Sequence, residues 1–270
     1  MKENTIQIVF ALDKNFIQHC AACLASVFQN TPNANFCIHV ISEDALSKEL
    51  ERLKKFVISH GHDFLFYHFD KKDIQSFKIS LHITHATYYR LYIPQLIVNS
   101  KKVIYLDSDI IALGSLENLW NFNLKNKILA ATYPEGQDHF NAGVLVINLE
   151  RWRAEKITEK CADWIIQNNE ILQFWDQDAL NNVLSKEAIT PLDKKWNWTE
   201  NKPISLDCEV HLIHFIGTHK PWNFYCEHPL KGEYFKYLRL TPWRNYKLLQ
   251  ETRWYQWKQK IKALATYFVK

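Results

Sequence analysis

The chain has 270 residues, of which 47% are hydrophobic and 23% are charged, and its formal net charge is +4. This composition is ordinary for a soluble globular protein and excludes disordered, collagen-like and low-complexity classes. The few glycines are spaced too widely for G-x-G-x-x-G or G-x-x-x-x-G-K, which excludes the dinucleotide fingerprint and the P-loop as written. No apolar run approaches the ~18 residues of a spanning helix, and the first one, over 8–12, is too short for a signal peptide. We therefore expect cytoplasmic residence.

Short runs rich in Val, Ile and Phe alternate along the chain with segments of helical periodicity. The runs predict strands over 6–11, 36–41, 64–69, 103–106, 128–133, 143–149 and 210–216. The periodic segments predict helices over 15–29, 44–58, 84–92, 154–169 and 175–184. Ser42 is a plausible N-cap for the second helix. This alternation predicts an α/β fold with a largely parallel sheet, and we assign residues 1–240 to one such domain.

Two of the six cysteines, Cys20 and Cys23, form a C-x-x-C pair. No second Cys or His pair has the spacing that would complete a zinc site. The pair also lies inside the helix predicted over 15–29, rather than at a helix start as in a thioredoxin-type site. We therefore interpret these cysteines as reduced thiols of the core.

The basic excess of the chain lies in residues 241–270. Seven basic residues and one acid give this segment a net charge of +6, which leaves −2 for residues 1–240. Most of its aromatic residues share one helical stripe with Ile261 and Leu264, which predicts an amphipathic helix at an anionic membrane surface. Packing of that stripe on the domain is the alternative, and the acidic remainder argues against a nucleic-acid partner. The stripe consists of Trp243, Tyr246, Trp254, Trp257, Ile261, Leu264 and Phe268.

The fourth predicted strand is followed by two closely spaced acids, Asp107 and Asp109, with Ser108 between them. Side chains two residues apart point the same way along a strand. Two carboxylates at that distance repel each other unless a cation lies between them, and hard oxygen ligands suit Mg²⁺ or Mn²⁺. One alternative is a loop in which Asp accepts backbone N–H bonds. Another is a metal-dependent phosphohydrolase, but there the pair follows the first strand.

The segment after residues 210–216 is the second candidate for a site, because ligands of such sheets bind beyond the carboxyl ends of strands. His214 is a candidate metal ligand or, alternatively, a core histidine. Gly217 would let a backbone approach a phosphate, and Lys220 offers it a point charge. In isolation these two residues describe an ordinary loop.

Two further polar segments have both a functional and a structural interpretation. Asn141 precedes an apolar run and can donate and accept at once, as a sugar hydroxyl requires, or it can belong to a turn. Asp176 and Gln177 open a predicted helix, where favourable interaction of the acid with the helix dipole explains it as well as catalysis does.

In this order and spacing, the segments resemble the bacterial lipopolysaccharide galactosyl/glucosyltransferases of glycosyltransferase family 8. The resemblance spans about residues 5–223, and it implies the GT-A nucleotide-sugar-binding α/β fold. The matching segments are 8–15 (IVFALDKN), 87–91 (TYYRL), 103–109 (VIYLDSD), 140–149 (FNAGVLVINL), 152–153 (WR), 176–181 (DQDALN) and 214–222 (HFIGTHKPW).

The resemblance also implies roles for individual residues. It implies that Asp107, Asp109 and His214 hold Mn²⁺, with Mg²⁺ as an alternative. A UDP-hexose donor would bind around that ion. The residues implied to contact uridine and ribose are Ala11, Asp13, Asn15 and Ser108. Those implied at the diphosphate are Gly217 and Lys220, and those implied around the donor sugar, as catalytic residues, are Arg90, Asn141, Asp176 and Gln177.

The activity that the resemblance implies is retaining transfer of galactose or glucose to a lipopolysaccharide, lipooligosaccharide or related glycan. Such an enzyme would be peripheral on the inner face of the cytoplasmic membrane, with residues 241–270 as the attachment segment. The alternative from another class is a non-catalytic nucleotide-sugar or glycan-binding protein on the same fold. That protein would be expected to lose a metal ligand or a sugar contact, whereas this chain keeps all of them.

Overall fold

The computed structural model describes residues 5–77, 85–217 and 220–246. The strands are β1 (Ile6–Ala11), β2 (Phe36–Ser42), β3 (Asp63–His68), β4 (Lys102–Leu106), β5 (Ile110–Ala112), β6 (Leu129–Thr132), β7 (Asn141–Asn148), β8 (Ile189–Pro191) and β9 (Leu212–His214). The α-helices are α1 (Ile17–Asn30), α2 (Lys48–Ser59), α3 (Ile93–Leu96), α4 (Glu117–Trp120), α5 (Leu149–Ala154), α6 (Ile157–Asn168), α7 (Asp176–Val183) and α8 (Lys231–Leu238). Short 3₁₀ helices cover Lys71–Ile74, His85–Tyr92, Lys186–Ala188 and Lys194–Trp196.

The central sheet of the described residues has seven strands in the order β3-β2-β1-β4-β7-β6-β8. Strand β7 pairs antiparallel with both neighbours, whereas the other pairs in this sheet are parallel. The centre of the sheet is buried on both faces, which is why β1, β2 and β4 are nearly continuous apolar runs, interrupted by Gln7 and His39. The predicted α/β class and largely parallel sheet are confirmed.

A separate antiparallel ribbon joins β5 to β9. Its register pairs Ile110 with His214, so the end of β9 lies beside the start of β5. The backbone N–H of Phe215 then donates to the carbonyl of Asp109 over 3.1 Å. The ribbon thus brings two segments together that are more than a hundred positions apart.

Apolar side chains fill both faces of the sheet. On one face, α1 and α2 pack with α8 and the β5–β9 ribbon, and Cys20 and Cys23 are buried there as free thiols. On the other face, the 3₁₀ helix His85–Tyr92 packs with α3, α5, α6 and α7. The predicted interpretation of the cysteine pair as core thiols is confirmed.

Several predicted boundaries were wrong. Ser42 ends β2 instead of capping a helix, and α2 starts later because the Ser47 hydroxyl accepts the N–H of Leu50. The segment 84–92 is a 3₁₀ helix from His85, and 210–216 yields only the short strand β9, in the ribbon rather than the main sheet. Strands this short carry too few residues for a period to show in the sequence.

The described chain continues through turns to Tyr246, beyond the predicted boundary at 240. Trp243 is buried, and its indole N–H donates to Glu49 Oε2 over 2.6 Å while the Arg52 guanidinium lies over its ring. Trp243 and Tyr246, the two described residues of the stripe, therefore pack on the domain. The rest of the predicted attachment helix, residues 247–270, lies outside the described residues. No helix in the described ranges has the length and apolar character needed to cross a bilayer.

Candidate active site

The two acids that follow β4 lie at the carboxyl edge of the sheet, next to β7. The N–H of Asp107 donates to the carbonyl of Gly143 over 2.8 Å, which extends the pairing of β4 and β7 past the end of β4. The phenol of Tyr105 donates to Asp107 Oδ1 over 2.6 Å. Asp109 is buried directly before β5. Backbone pairing on both sides therefore fixes the two carboxylates.

The β5–β9 ribbon adds His214 to this pair. Its Nε2 lies 3.2 Å from Asp109 Oδ1 and 3.7 Å from Asp107 Oδ2. One ligand atom from each of the three residues lies within 4.8 Å of the other two. Gly143 makes room for them, because a Cβ at this position would lie 2.1 Å from Cε1 of His214 and 2.9 Å from Asp107 Oδ2.

The chemistry of this triad fits a divalent cation. Asp109 Oδ1 is buried and accepts no hydrogen bond of good geometry, although the imidazole is adjacent. Nδ1 of His214 lies 2.9 Å from Asn197 Oδ1, which accepts and does not donate, so the proton of a neutral imidazole belongs on Nδ1. The lone pair of Nε2 then faces two carboxylates, and a cation between them relieves the repulsion. Carboxylate oxygens and an imidazole suit Mn²⁺ or Mg²⁺.

Lys220 reaches the same triad from the chain beyond β9. Its ammonium donates to Asp109 Oδ2 and, over 2.6 Å, to the carbonyl of Phe215. Burial raises the pKa of Asp109, but the Lys220 ammonium, together with His214 when its ring is protonated, outweighs that effect and holds this pKa below its ordinary value. The carboxylate is therefore ionised and available as a ligand.

A buried arginine connects the triad to the start of α7. Arg90 Nη2 lies 3.1 Å from Asp107 Oδ1, and its Nε lies 2.8 Å from Asp176 Oδ2. Its Nη1 donates to the carbonyl of Ala142 over 2.6 Å. Burial raises the pKa of Asp176 to about 6, although Arg90 and a hydrogen bond from Thr87 act in the opposite direction. Above that pH the carboxylate carries its charge inside the protein.

Two side-chain amides complete this side of the site. Gln177 Oε1 accepts the N–H of Ala142 over 2.9 Å. Asn141 Oδ1 accepts the N–H of Gly143 over 2.9 Å and the amide of Asn197 over 2.8 Å. Asn141 Oδ1 accepts two hydrogen bonds inside the protein, so Asn141 can offer a ligand its amide N–H groups. Gln177 can offer its amide N–H groups and the second lone pair of Oε1.

The predicted uridine contacts lie at the ends of β1 and β4, which are neighbours in the sheet. Asp13 is buried, and its Oδ1 accepts the N–H of Asn15 over 2.7 Å. Ala11 and Ser108 are half-buried at the two strand ends, which leaves surface for a ligand. Gly217 is exposed with φ +71°, a conformation that favours glycine. The structure thus brings the predicted residues to one edge of the sheet.

Sequence reasoning assigned no role to four residues that shape this site. They are Thr87, Tyr105, Gly143 and Asn197. The first three lie inside segments that carried the resemblance, so those segments were the available signal. No sequence feature predicts a role for Asn197, since it lies between two tryptophans outside every motif. It reaches His214 because the next residue, Trp198, donates its N–H to the carbonyl of Leu212 and accepts the N–H of His214.

Comparison with known proteins identifies the class. The sequence profile of glycosyl transferase family 8 matches residues 7–226, and the chain belongs to this family. It is a glycosyltransferase with the GT-A fold. The galactosyltransferase LgtC, solved with donor and acceptor sugar analogues, has a TM-score of 0.79 and 25% identity, and the match covers 88% of this chain and 96% of LgtC.

Two sequence relatives are similar to this chain over most of its length. General stress protein A of Bacillus subtilis is 29% identical over 275 residues, covering 90% of this chain and 96% of that protein. The lipopolysaccharide 1,3-galactosyltransferase of Salmonella typhimurium is 28% identical over 272 residues, covering 90% of this chain and 80% of that enzyme. The match to the family profile confirms the predicted family.

The hydrogen bond between Asn197 and His214 generates a prediction about cation affinity. Replacing Asn197 with Leu removes the acceptor that fixes the imidazole, so binding of Mn²⁺, measured by calorimetry, should weaken by about 10–100-fold. Asn197→Asp keeps an acceptor and should lose less. Asn168→Leu is the control, since Asn168 lies in α6 and its amide donates to the carbonyl of Trp164 instead of to a site residue. Unchanged affinity in Asn197→Leu would refute this role.

Proposed function

We propose that the protein transfers a hexose, galactose or glucose, from a UDP donor to a hydroxyl of a lipopolysaccharide, lipooligosaccharide or related glycan, with a divalent cation, Mn²⁺ or alternatively Mg²⁺. The observation that carries the proposal is the triad of Asp107, Asp109 and His214 beside Lys220. It combines hard ligands for a cation with a separate positive charge. That is what a diphosphate leaving group needs.

The departure of UDP puts negative charge on the diphosphate. Asp107, Asp109 and His214 would hold the cation, which supplies Lewis-acid stabilisation of that charge. Lys220 adds a point charge that is already directed to the triad and partly shielded from water. Gly217 lies in open surroundings with φ +71° and would let the backbone approach the phosphate oxygens closely. Asp13 and Asn15, with Ala11 and Ser108, lie where the uridine side of the donor would bind.

On the sugar side, the chain offers charge and hydrogen-bond donors. The anomeric carbon gains positive character as the bond to UDP breaks, and the buried carboxylate of Asp176 stabilises such charge when ionised. Arg90 holds that carboxylate in place. The amide N–H groups of Asn141 and Gln177 are suited to sugar hydroxyls.

The family resemblance implies retention of anomeric configuration, and the geometry at Gln177 favours attack from the face that UDP leaves. A double displacement needs a nucleophile on the opposite face of the sugar. The Gln177 oxygen is a weak nucleophile and is already bonded to the N–H of Ala142. In same-face attack, a β-phosphate oxygen of the leaving UDP takes the proton of the acceptor hydroxyl.

This mechanism predicts that Gln177→Ala keeps substantial transfer activity, within about 10–100-fold of the wild type, because it loses a positioning contact and not a nucleophile. The measurement is initial-rate UDP release, with Gln177→Glu as the matched variant that could form an adduct. A glycosyl adduct on Gln177 or Asp176 of the wild type, seen by mass spectrometry, would overturn same-face attack.

The direct test of the proposed function is release of UDP from UDP-galactose and UDP-glucose in the presence of Mn²⁺. Slow hydrolysis of the donor without acceptor is expected for the wild type. Asp109→Ala should lower the rate by at least about 100-fold, or about 2.7 kcal/mol, because the cation loses a ligand. Asp163→Ala, at an exposed position of α6, should leave it unchanged.

The outcomes of this test separate three functions. UDP binding without release would favour a non-catalytic binding protein. Release of inorganic phosphate from simple phosphate esters, with no action on UDP-hexoses, would favour a phosphohydrolase. Family membership already argues for transfer over both.

The lipopolysaccharide acceptor is proposed from the relatives, one of which is named for 1,3-galactosyl transfer to lipopolysaccharide. The cationic, aromatic composition of residues 247–270 supports placing the enzyme at an anionic membrane surface, on the inner face of the cytoplasmic membrane. Each basic residue near such a surface contributes about 1 kcal/mol. The acceptor and the attachment would then lie on the same surface.

A chain ending at Tyr246 tests this attachment and keeps the packed residues Trp243 and Tyr246. It should move from the membrane pellet to the soluble fraction and lose affinity for vesicles containing phosphatidylglycerol, while UDP affinity stays within about twofold. The matched control is the full chain with Lys258, Lys260 and Lys262 changed to Gln, which isolates the electrostatic part. Equal sedimentation of the truncated and full chains would contradict membrane attachment by this segment.

A further inference from the structure

The position of the Lys220 ammonium depends on a short turn between β9 and α8. The N–H of Asn223 donates to the carbonyl of Lys220 over 2.9 Å, which closes the turn. The ammonium itself contacts Asp109 and the carbonyl of Phe215. A lysine side chain has many rotamers, so its backbone must be held for the ammonium to stay on one carboxylate.

Trp222 anchors this turn two residues after Lys220. The indole is only 6% exposed and lies face to face on the imidazole of His19, with 3.4 Å between ring centroids and 11° between planes. Phe16 contacts it edge-on, and Tyr234 lies on another side. The anchor is therefore a slot whose walls come from the start of α1 and from α8.

His19 is the fixed part of that slot. Its Nδ1 lies 2.6 Å from the phenol of Tyr234, which ties α1 to α8, and its Nε2 lies 3.2 Å from the side-chain amide of Gln18. Burial lowers the pKa of His19 to about 3, so the ring is neutral at neutral pH and adds no charge beside Lys220. A neutral ring with both nitrogens engaged is a rigid stacking partner.

We infer that His19 and Trp222 are positioning residues for Lys220, because their stack fixes the turn that holds the ammonium over the triad of Asp107, Asp109 and His214. Neither ring is proposed to contact the UDP-hexose. The inference rests on the proposed function for the role of Lys220 at the diphosphate, whereas the geometric part stands on the protein alone. Weakening the stack should release the ammonium from Asp109 without removing any ligand or charge.

The first arm of the test measures the freedom of Lys220 without nucleotide or metal. The full-length protein is treated briefly with acetic anhydride, and acetylation of Lys220 is quantified by peptide mass spectrometry. His19→Leu removes the stack and should raise the acetylation rate by several-fold, up to about tenfold. His19→Phe keeps a stacking ring and should restore most of the protection.

The matched control is His39→Leu, because His39 is also a buried histidine bonded to a tyrosine, with Nδ1 3.0 Å from the phenol of Tyr67. It lies in β2, and it should destabilise the fold without changing acetylation of Lys220. If His19→Leu does not fold, Trp222→Phe is measured instead, because it reduces the stacked area on His19 while keeping a ring in the slot. Equal acetylation of Lys220 in the wild type and in the variants that weaken the stack would overturn the inference.

The second arm asks whether the effect passes through Lys220. UDP affinity in the presence of Mn²⁺ is measured by calorimetry for His19→Leu, Lys220→Ala and the double variant. We expect His19→Leu to weaken binding several-fold in the wild-type background and to have no further effect after Lys220→Ala. Equal losses in both backgrounds would show a general structural role and overturn the inference. Absence of UDP binding by the wild type would count against the proposed function, and the acetylation arm would still decide the positioning.

Discussion

Repulsion between two carboxylates is the constraint on which the site depends. Asp107 and Asp109 are held by backbone pairing at the end of β4, and Nε2 of His214 faces them. This arrangement is favourable only with positive charge among the three groups. Lys220 supplies it in the described structure, and a divalent cation would supply it more fully, with the ammonium then free for the diphosphate.

A second positive charge, on Arg90, balances the carboxylates from inside the domain. It lies between Asp107 and Asp176, so one guanidinium serves the cation side and the sugar side together. Removal of one partner from such a buried pair typically costs about 3–5 kcal/mol. The site is therefore also part of what stabilises this edge of the sheet, and contacts within the protein fix its residues. Such preorganisation is what electrostatic catalysis requires.

The topology explains why residues far apart in sequence share this edge. Parallel strands β1 and β4 place their carboxyl ends side by side, whereas β7 runs the other way and contributes its amino end, with Asn141 and Gly143. The β5–β9 ribbon then brings His214 to the two acids. The slot for Trp222 likewise joins distant parts of the sequence, since the first and last helices of the described chain, α1 and α8, meet there and hold the turn that carries Lys220.

The sequence by itself determined the fold class and pointed to the pair of acids in the candidate site. Continuous apolar runs predict buried parallel strands, and the acids at 107 and 109 are detectable because both their spacing and their strand are local features. The roles of His214, Arg90 and Lys220 came from resemblance, since each is ambiguous when taken alone. Only the tertiary structure decided that Asn197 orients the imidazole, that Gly143 must lack a side chain, and that His19 and Trp222 stack. Those contacts join residues that no period or spacing relates, because they are set by strand register and by the packing of helices on the sheet.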